Sequence, residues 1–195
     1  MQNILAKAAH IKLVIFDVDG VLTDGSLYYD AEGRELKVFH SRDGHGMKML
    51  QNTGVEIAII TARISEAVTH RMAGLGIKHV YQGQQDKLLA FKNLLVNLDI
   101  DASQVAYVGD DVIDLPVMLR VGLAIAVQDA HALVKHHCHW QTPAMGGRGA
   151  ARDVCELIME AQHTLESQLR VYLVPGRMPQ CGEHRVPQEP PSEPV

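Results

Sequence analysis

Lys12-Leu13-Val14-Ile15-Phe16-Asp17-Val18-Asp19-Gly20 is a short apolar run that ends on two carboxylates and a glycine. The run is rich in β-branched residues and apolar on both faces, the pattern of a parallel strand covered by helices on each side. Its end is the more informative half. In an open α/β sheet, ligands bind beyond the carboxyl ends of the strands, so polar residues that directly follow an apolar run are candidates for chemistry. Further runs of this kind occupy 55–60, 105–108 and 123–127. The segments between them have helical spacing, which predicts helices over 46–52, 65–75, 86–98, 113–121 and 150–169, with Gly54, Gly76 and Gly122 as stops. This βαβ rhythm predicts an α/β fold built on a doubly wound, mostly parallel sheet.

Between the first strand and the first helix, Ser26-Leu27-Tyr28-Tyr29 and Glu35-Leu36-Lys37-Val38-Phe39 flank Asp30-Ala31-Glu32-Gly33, which predicts a protruding β-hairpin. A two-stranded ribbon has no core of its own, so Leu27, Tyr29, Leu36, Val38 and Phe39 call for a covering surface.

The chain has 195 residues, 47% of them hydrophobic and 21% charged, enough for one sizeable core. Eighteen Lys+Arg stand against 23 Asp+Glu, a net charge of −5, with no block of like charge to grip a polyanion. Composition therefore speaks against a nucleic-acid partner. No apolar window is long enough for a membrane span, and residues 1–9 do not have a signal-peptide pattern, so the expectation is a cytoplasmic protein with no membrane partner. Cys138, Cys155 and Cys181 are an odd number without metal-finger spacing, which speaks against a disulfide framework. Six of the eight prolines follow Val174. The expected division is a single domain over 1–174 and a proline-rich, disordered tail over 175–195.

Four strand-end or helix-start positions carry chemistry: Asp17 with Asp19; Thr61 in Ile60-Thr61-Ala62-Arg63; Lys87 after Asp86; and Gly109-Asp110-Asp111. Each alone is commonplace, since a strand-end Asp is often a helix cap and a first-turn Lys is usually solvated. Together they form a set. A hard divalent cation needs oxygen ligands, which Asp17 and Asp110 supply, and Mg²⁺ uses few carboxylates while keeping waters. The cation lets a carboxylate attack phosphorus despite their like charge, and Thr61 and Lys87 can hold the remaining phosphoryl oxygens.

Asp17-Val18-Asp19-Gly20-Val21-Leu22-Thr23, Thr61, Lys87 and Gly109-Asp110-Asp111 resemble, in order and strand context, the four motifs of the haloacid-dehalogenase-like phosphohydrolases. The resemblance covers about residues 12–169. It implies that Asp17 is the nucleophile, that Asp19 is the acid and then the base, and that Asp17, the backbone carbonyl of Asp19 and Asp110 bind Mg²⁺. Asp111 would be a substrate or supporting partner, and Asp114 a further candidate. The intervals between motifs hold the hairpin and single βα-units, so there is no cap domain. Within the superfamily, Thr23-Asp24-Gly25, Ser41-Arg42-Asp43-Gly44-His45-Gly46, Ile60-Thr61-Ala62-Arg63 and Gly146-Gly147-Arg148-Gly149-Ala150 resemble the capless tetrameric 3-deoxy-D-manno-octulosonate 8-phosphate phosphatases. His45 departs from the aromatic residue more usual in that family. Such enzymes hydrolyse a sugar-acid phosphate on the route to lipopolysaccharide, and the resemblance implies a homotetramer whose hairpins complete neighbouring sites. An acidic sugar phosphate needs cations beyond the phosphate pocket. Arg42, Lys48, Arg63 and Arg71 are the candidates, with Asp19, Lys87 and Asp111 also facing substrate.

A phosphoacceptor signalling module combines similar residues, but it places its acidic pair on the first strand and its phosphorylated Asp later, the reverse of this order. An inactive scaffold would lack one of the catalytic residues, and none is missing. A related nine-carbon, sialic-acid-type phosphate phosphatase is the alternative enzyme. His136-His137-Cys138-His139, read as extended, would point to opposite faces and cannot converge on one ion. Gly146-Gly147-Arg148-Gly149 reads as a turn, and Cys155, on an apolar helix stripe, reads as core.

Overall fold

The computed structural model describes residues 1–173, so the proline-rich stretch 175–195 and Cys181 lie outside the described residues. In chain order the elements are α1 (Gln2–Ala8), β1 (Leu13–Phe16), β2 (Tyr28–Tyr29), β3 (Glu35–Leu36), α2 (Ser41–Gln51), β4 (Glu56–Ile60), α3 (Glu66–Leu75) and β5 (His79–Tyr81). There follow α4 (Lys87–Leu98), β6 (Val105–Gly109), α5 (Leu115–Met118), β7 (Leu123–Ala126), α6 (Ala132–His137), β8 (Trp140–Gln141), α7 (Ala150–Ala161) and α8 (Leu165–Leu173).

Six strands form one sheet in the order β5-β4-β1-β6-β7-β8, every pair parallel. All four residues of β1 and of β7 are buried, as continuous apolar runs in a two-sided sheet require. The chain moves outward from β1 through β4 to β5 and then returns to β6 on the other flank of β1, so the strand order reverses between β1 and β6. That reversal opens a crevice at the carboxyl edge. Register does the rest. Phe16 pairs with Ile59 and with Val108, which brings Asp17, Thr61 and Asp110 to one edge within two residues of those pairs. The hairpin forms as expected, pairing Tyr28 with Leu36 and Tyr29 with Glu35. Among its apolar residues Phe39 is the exception, packing against the core instead of standing exposed.

Several boundaries differ from the sequence reading, each for a packing reason. Helix α2 begins at Ser41 and not at residue 46, taking in Gly44 and Gly46 despite their low helix propensity. Those glycines admit neighbours: a Cβ on Gly44 would strike Arg71 and one on Gly46 would strike Arg152. The expected helix 113–121 is a turn of 3₁₀ helix over Val112–Asp114 followed by the short α5, because Asp114 turns its carboxylate inward and binds its own loop. The expected helix 150–169 breaks at Gln162-His163-Thr164. There His163 takes a positive φ of 58° and Gln162 reaches across to the Ile11 carbonyl. Four elements were not expected: α1, α6 and the edge strands β5 and β8. His136 and His137 end α6 instead of lying extended, and His139 Nδ1 accepts from the Ala124 amide.

Candidate active site

Asp17 follows β1 into a buried position. Its Oδ1 accepts from the Val18 amide at 2.7 Å, and its Oδ2 lies 2.8 Å from Lys87 Nζ. Lys87 opens α4 after Asp86, whose side chain caps the helix by accepting from the Leu88 amide. That cap fixes the first turn so that the ammonium points under the sheet edge, where its side chain is 1% exposed. A second carboxylate meets it: Asp114 Oδ1 accepts from Lys87 at 2.7 Å and from Tyr107 Oη at 2.7 Å. Burial alone would lower the Lys87 pKa, but Asp17 and Asp114 outweigh it and raise the ammonium above its ordinary value. The opposite holds for Asp17, which burial raises to about 7, helped by Asp114 and opposed by Lys87.

Asp110 extends this group from the end of β6. Carboxylate oxygens of Asp17, Asp110 and Asp114 lie within 4.8 Å of one another. Their bonding separates their roles. Both oxygens of Asp114 are engaged, Oδ1 by Lys87 and Tyr107 and Oδ2 by the amides of Asp110 and Asp111. Asp110 Oδ1, by contrast, is buried without a hydrogen-bond partner among the described residues. Burial, Asp17 and Asp114 together raise the Asp110 carboxyl to about 8. A buried carboxylate with an unused oxygen beside another carboxylate fits a hard, oxygen-liganded divalent cation such as Mg²⁺. Asp114 is the anchor for Lys87 and for the β6 loop, which leaves Asp17 and Asp110 as the pair whose oxygens could take a cation. Sequence reasoning missed Tyr107, whose ring looks like any strand apolar residue. The signal for Asp114 was its place four residues after Asp110.

The loop after Asp17 is densely hydrogen-bonded. The amides of Val21, Leu22 and Thr23 all donate to the Val18 carbonyl, and buried Thr23 Oγ1 accepts from Gly20 and Gly25. Gly20 has a φ of 89°, and a Cβ there would collide with the Asp110 carboxylate. Gly146-Gly147 does more than make a turn. The Gly147 amide donates to the Val21 carbonyl at 2.9 Å, Cβ atoms on either glycine would overlap the 20–24 backbone, and Arg148 pairs with Asp24 at 2.9 Å. This stretch is a buttress under the loop that follows Asp17. Thr61, buried, follows β4, and its amide donates to the Tyr81 carbonyl at 3.0 Å.

The remaining expected residues divide. Asp19 stands at the rim, with its Oδ1 on Lys37 Nζ and its Oδ2 3.8 Å from Arg63 Nε. Arg63 also binds Glu35 at 2.5 Å and the Tyr29 hydroxyl at 3.0 Å, both from the hairpin. Arg42 is exposed on the first turn of α2. Asp111 spends its carboxylate capping the 3₁₀ turn through the Val112 amide at 2.7 Å. Arg71 lies on the chain leaving the hairpin, 5.9 Å from the Phe39 ring centroid and 3.5 Å from the His40 carbonyl. Lys48 does not reach the cluster in this chain. It lies beside Gly76, the cap at the far end of α3, because α2 descends from the carboxyl edge of the sheet. His45, inside α2 and not in a loop, meets Tyr172 Oη at 2.7 Å and Arg152 at 3.2 Å. Cys155 is core, as expected.

A doubly wound parallel sheet without a cap, whose central strand delivers an aspartate to a buried lysine and a second strand-end acid, has the fold and site of a haloacid-dehalogenase-like hydrolase. Residues 77–152 match the haloacid dehalogenase-like hydrolase family. The 3-deoxy-D-manno-octulosonate 8-phosphate phosphatase of Escherichia coli K12 is 51% identical over 164 residues, 84% of this chain and 87% of that protein. The crystal structure of the Yersinia pestis 3-deoxy-D-manno-octulosonate 8-phosphate phosphatase superposes with a TM-score of 0.83 at 49% identity, covering 84% of this chain and 89% of that one. The Moraxella catarrhalis enzyme of the same name, solved with a magnesium ion, a phosphate ion and KDO, gives 0.87 at 42% identity, covering 88% and 99%. The chain belongs to the family of the 3-deoxy-D-manno-octulosonate 8-phosphate phosphatases.

Proposed function

We propose that this protein hydrolyses 3-deoxy-D-manno-octulosonate 8-phosphate to the free sugar acid and phosphate, in the cytoplasm, as a step towards lipopolysaccharide. The observation that carries the reading is the buried Asp17-Lys87-Asp114 group with Asp110 beside it, where the strand order reverses. Asp17 forms the new bond to phosphorus while the bond from phosphorus to the sugar oxygen breaks, and Asp19 gives its proton to that leaving oxygen. Asp19, now a carboxylate, takes a proton from the water that attacks the aspartyl-phosphate, and the bond between Asp17 and phosphorus breaks to release phosphate. Lys87 Nζ and the Thr61 hydroxyl hold phosphoryl oxygens through both steps. Mg²⁺, held by Asp17, the Asp19 main-chain carbonyl and Asp110, supplies positive charge against the phosphoryl oxygens when bound.

Arg63, 3.8 Å from Asp19, offers a half-exposed guanidinium to the sugar acid, with Arg42, Arg71 and Asp111 as further candidates. The hairpin leaves Leu27, Tyr28, Tyr29, Leu36 and Val38 between 44% and 60% exposed, a surface that a homotetramer with grouped hairpins would cover. Residues 1–174 are the phosphatase domain on this reading. The test is phosphate release by purified protein over a panel of sugar phosphates, with and without Mg²⁺. Preference for the 8-phosphate supports the assignment, whereas preference for a nine-carbon sugar-acid 9-phosphate transfers it to the sialic-acid-type reaction.

A further inference from the structure

Lys37 inverts the pattern of the hairpin around it. Its neighbours Leu36 and Val38 are 58% and 60% exposed, while its own side chain is 3% exposed. A lysine has a long side chain to order and a charge to desolvate, so burial on an exposed ribbon needs specific partners. Two are present: Asp19, in direct contact with Lys37 Nζ, and Glu35, at 3.4 Å. Glu35 in turn holds Arg63 at 2.5 Å, and Arg63 Nε approaches the other oxygen of Asp19 at 3.8 Å. Burial raises the Glu35 carboxyl, but Arg63 and Lys37 more than offset this and leave it below its ordinary value. Two basic and two acidic side chains thus form a closed ring, and three of its members, with the Tyr29 hydroxyl on Arg63, tie the hairpin and the β4 loop to Asp19.

We propose that Lys37 is a positioning residue for Asp19, and that the hairpin belongs to the catalytic machinery of its own chain in addition to any role in assembly. The proposal rests on Asp19 being the acid-base group. A carboxyl that first gives and later takes a proton must be aimed at the leaving oxygen and then at the attacking water. Without Lys37, one oxygen of Asp19 loses its partner and the carboxyl turns out to solvent, while Asp17, Lys87 and Asp114 stay as they are.

The test compares leaving groups. An alkyl phosphate such as the sugar-acid phosphate needs a proton on its departing oxygen, whereas the phenolate of p-nitrophenyl phosphate leaves without one. In Lys37→Met, kcat/KM for the alkyl phosphate should fall by about 10- to 100-fold and that for p-nitrophenyl phosphate by no more than about threefold. Lys37→Arg, which keeps the charge, should restore most of the alkyl-phosphate rate and serves as the measured variant if Lys37→Met does not fold. Combining Lys37→Met with Asp19→Asn should lose no more than Asp19→Asn alone. Equal losses on both substrates, a rise in KM alone, or additive losses in the double variant would overturn the proposal. If Asp19→Asn itself keeps full turnover, the acid-base reading has failed. If Asp19→Asn is crippled while Lys37→Met treats both substrates as the wild type does, only the role of Lys37 has failed.

Discussion

Two lysines are buried against carboxylates in this protein, and they are held in opposite ways. Lys87 is fixed by the sheet: β1 brings Asp17, the loop after β6 brings Asp114, and Tyr107 closes the far side, all of them buried. Lys37 is held by a ribbon of two two-residue strands, against Asp19 and Glu35 side chains that are 22% and 14% exposed. The first group cannot move without disturbing the core, which suits a nucleophile that must meet phosphorus in one geometry. The second is tied to the hairpin at the rim of the site, which on the proposed function aims a residue that changes from proton donor to proton acceptor within one turnover. On the proposed function, position in the fold separates Asp17, which forms the covalent bond, from Asp19, which handles protons.

The sharpest way to break the contrast is Asp17→Asn. It removes the nucleophile at nearly constant volume, so turnover should fall by at least about 10⁴-fold while circular dichroism and melting show an intact fold. Lys87→Met should do something different, because it leaves two buried carboxylates uncompensated. Besides losing turnover by at least about 100-fold, it should lose about 3–5 kcal/mol in denaturant unfolding. Arg63→Gln, at a side chain 41% exposed, should lose no more than about 1 kcal/mol. A stable Lys87→Met, or an Arg63→Gln as unstable as Lys87→Met, would remove the distinction between the two groups.

Metal dependence sharpens the same point with a defined sign. With carboxyls raised to about 7 and about 8 from an ordinary 3.8, the metal-free fold holds protons more tightly than the unfolded chain. Their contribution to stability is fully present below the unfolded value and is lost as pH rises through 7 and 8. Mg²⁺ must displace those protons, so the rise in melting temperature at a fixed Mg²⁺ concentration should grow from about pH 6 to about pH 9. A shift that is the same at both ends would remove Asp17 and Asp110 from the cation site. The smallest effect is expected at the hairpin surface. Val38→Asp should shift the protein to smaller species in light scattering and should weaken turnover of the sugar-acid phosphate more than that of a small artificial ester. A monomeric wild type would remove the tetramer.

How much of this was legible in the sequence follows the same division. The long β-branched runs announce β1, β4, β6 and β7, and with them the strand ends that carry Asp17, Thr61 and Asp110, because a strand buried on both faces has no polar residues to disguise it. The edge strands β5 and β8 do not announce themselves: they are three and two residues long and mix His79, Tyr81 and Gln141 with apolar neighbours. Helix α2 is hidden by Gly44 and Gly46, whose reason is the close approach of Arg71 and Arg152, a tertiary fact. The ring around Asp19 is hidden in another way. Lys37 sits among exposed apolar residues, and nothing in the local pattern says that its ammonium folds back onto a loop 18 positions earlier. The placement of Lys48 beside Gly76 is hidden for the same reason, since helix direction and not charge decides which end of the sheet a side chain reaches within its own chain.

On the proposed function, Asp17 becomes covalently phosphorylated during hydrolysis of a sugar-acid phosphate. The direct measurement is acid quenching of the protein during turnover of 3-deoxy-D-manno-octulosonate 8-phosphate with Mg²⁺, followed by mass spectrometry of its peptides. The predicted result is the mass of one phosphoryl group on the peptide containing Asp17, present in the wild type, more abundant in Asp19→Asn relative to its rate, and missing in Asp17→Asn. Phosphate released at full rate by Asp17→Asn, or a phosphoryl group carried on any other residue, would contradict the account.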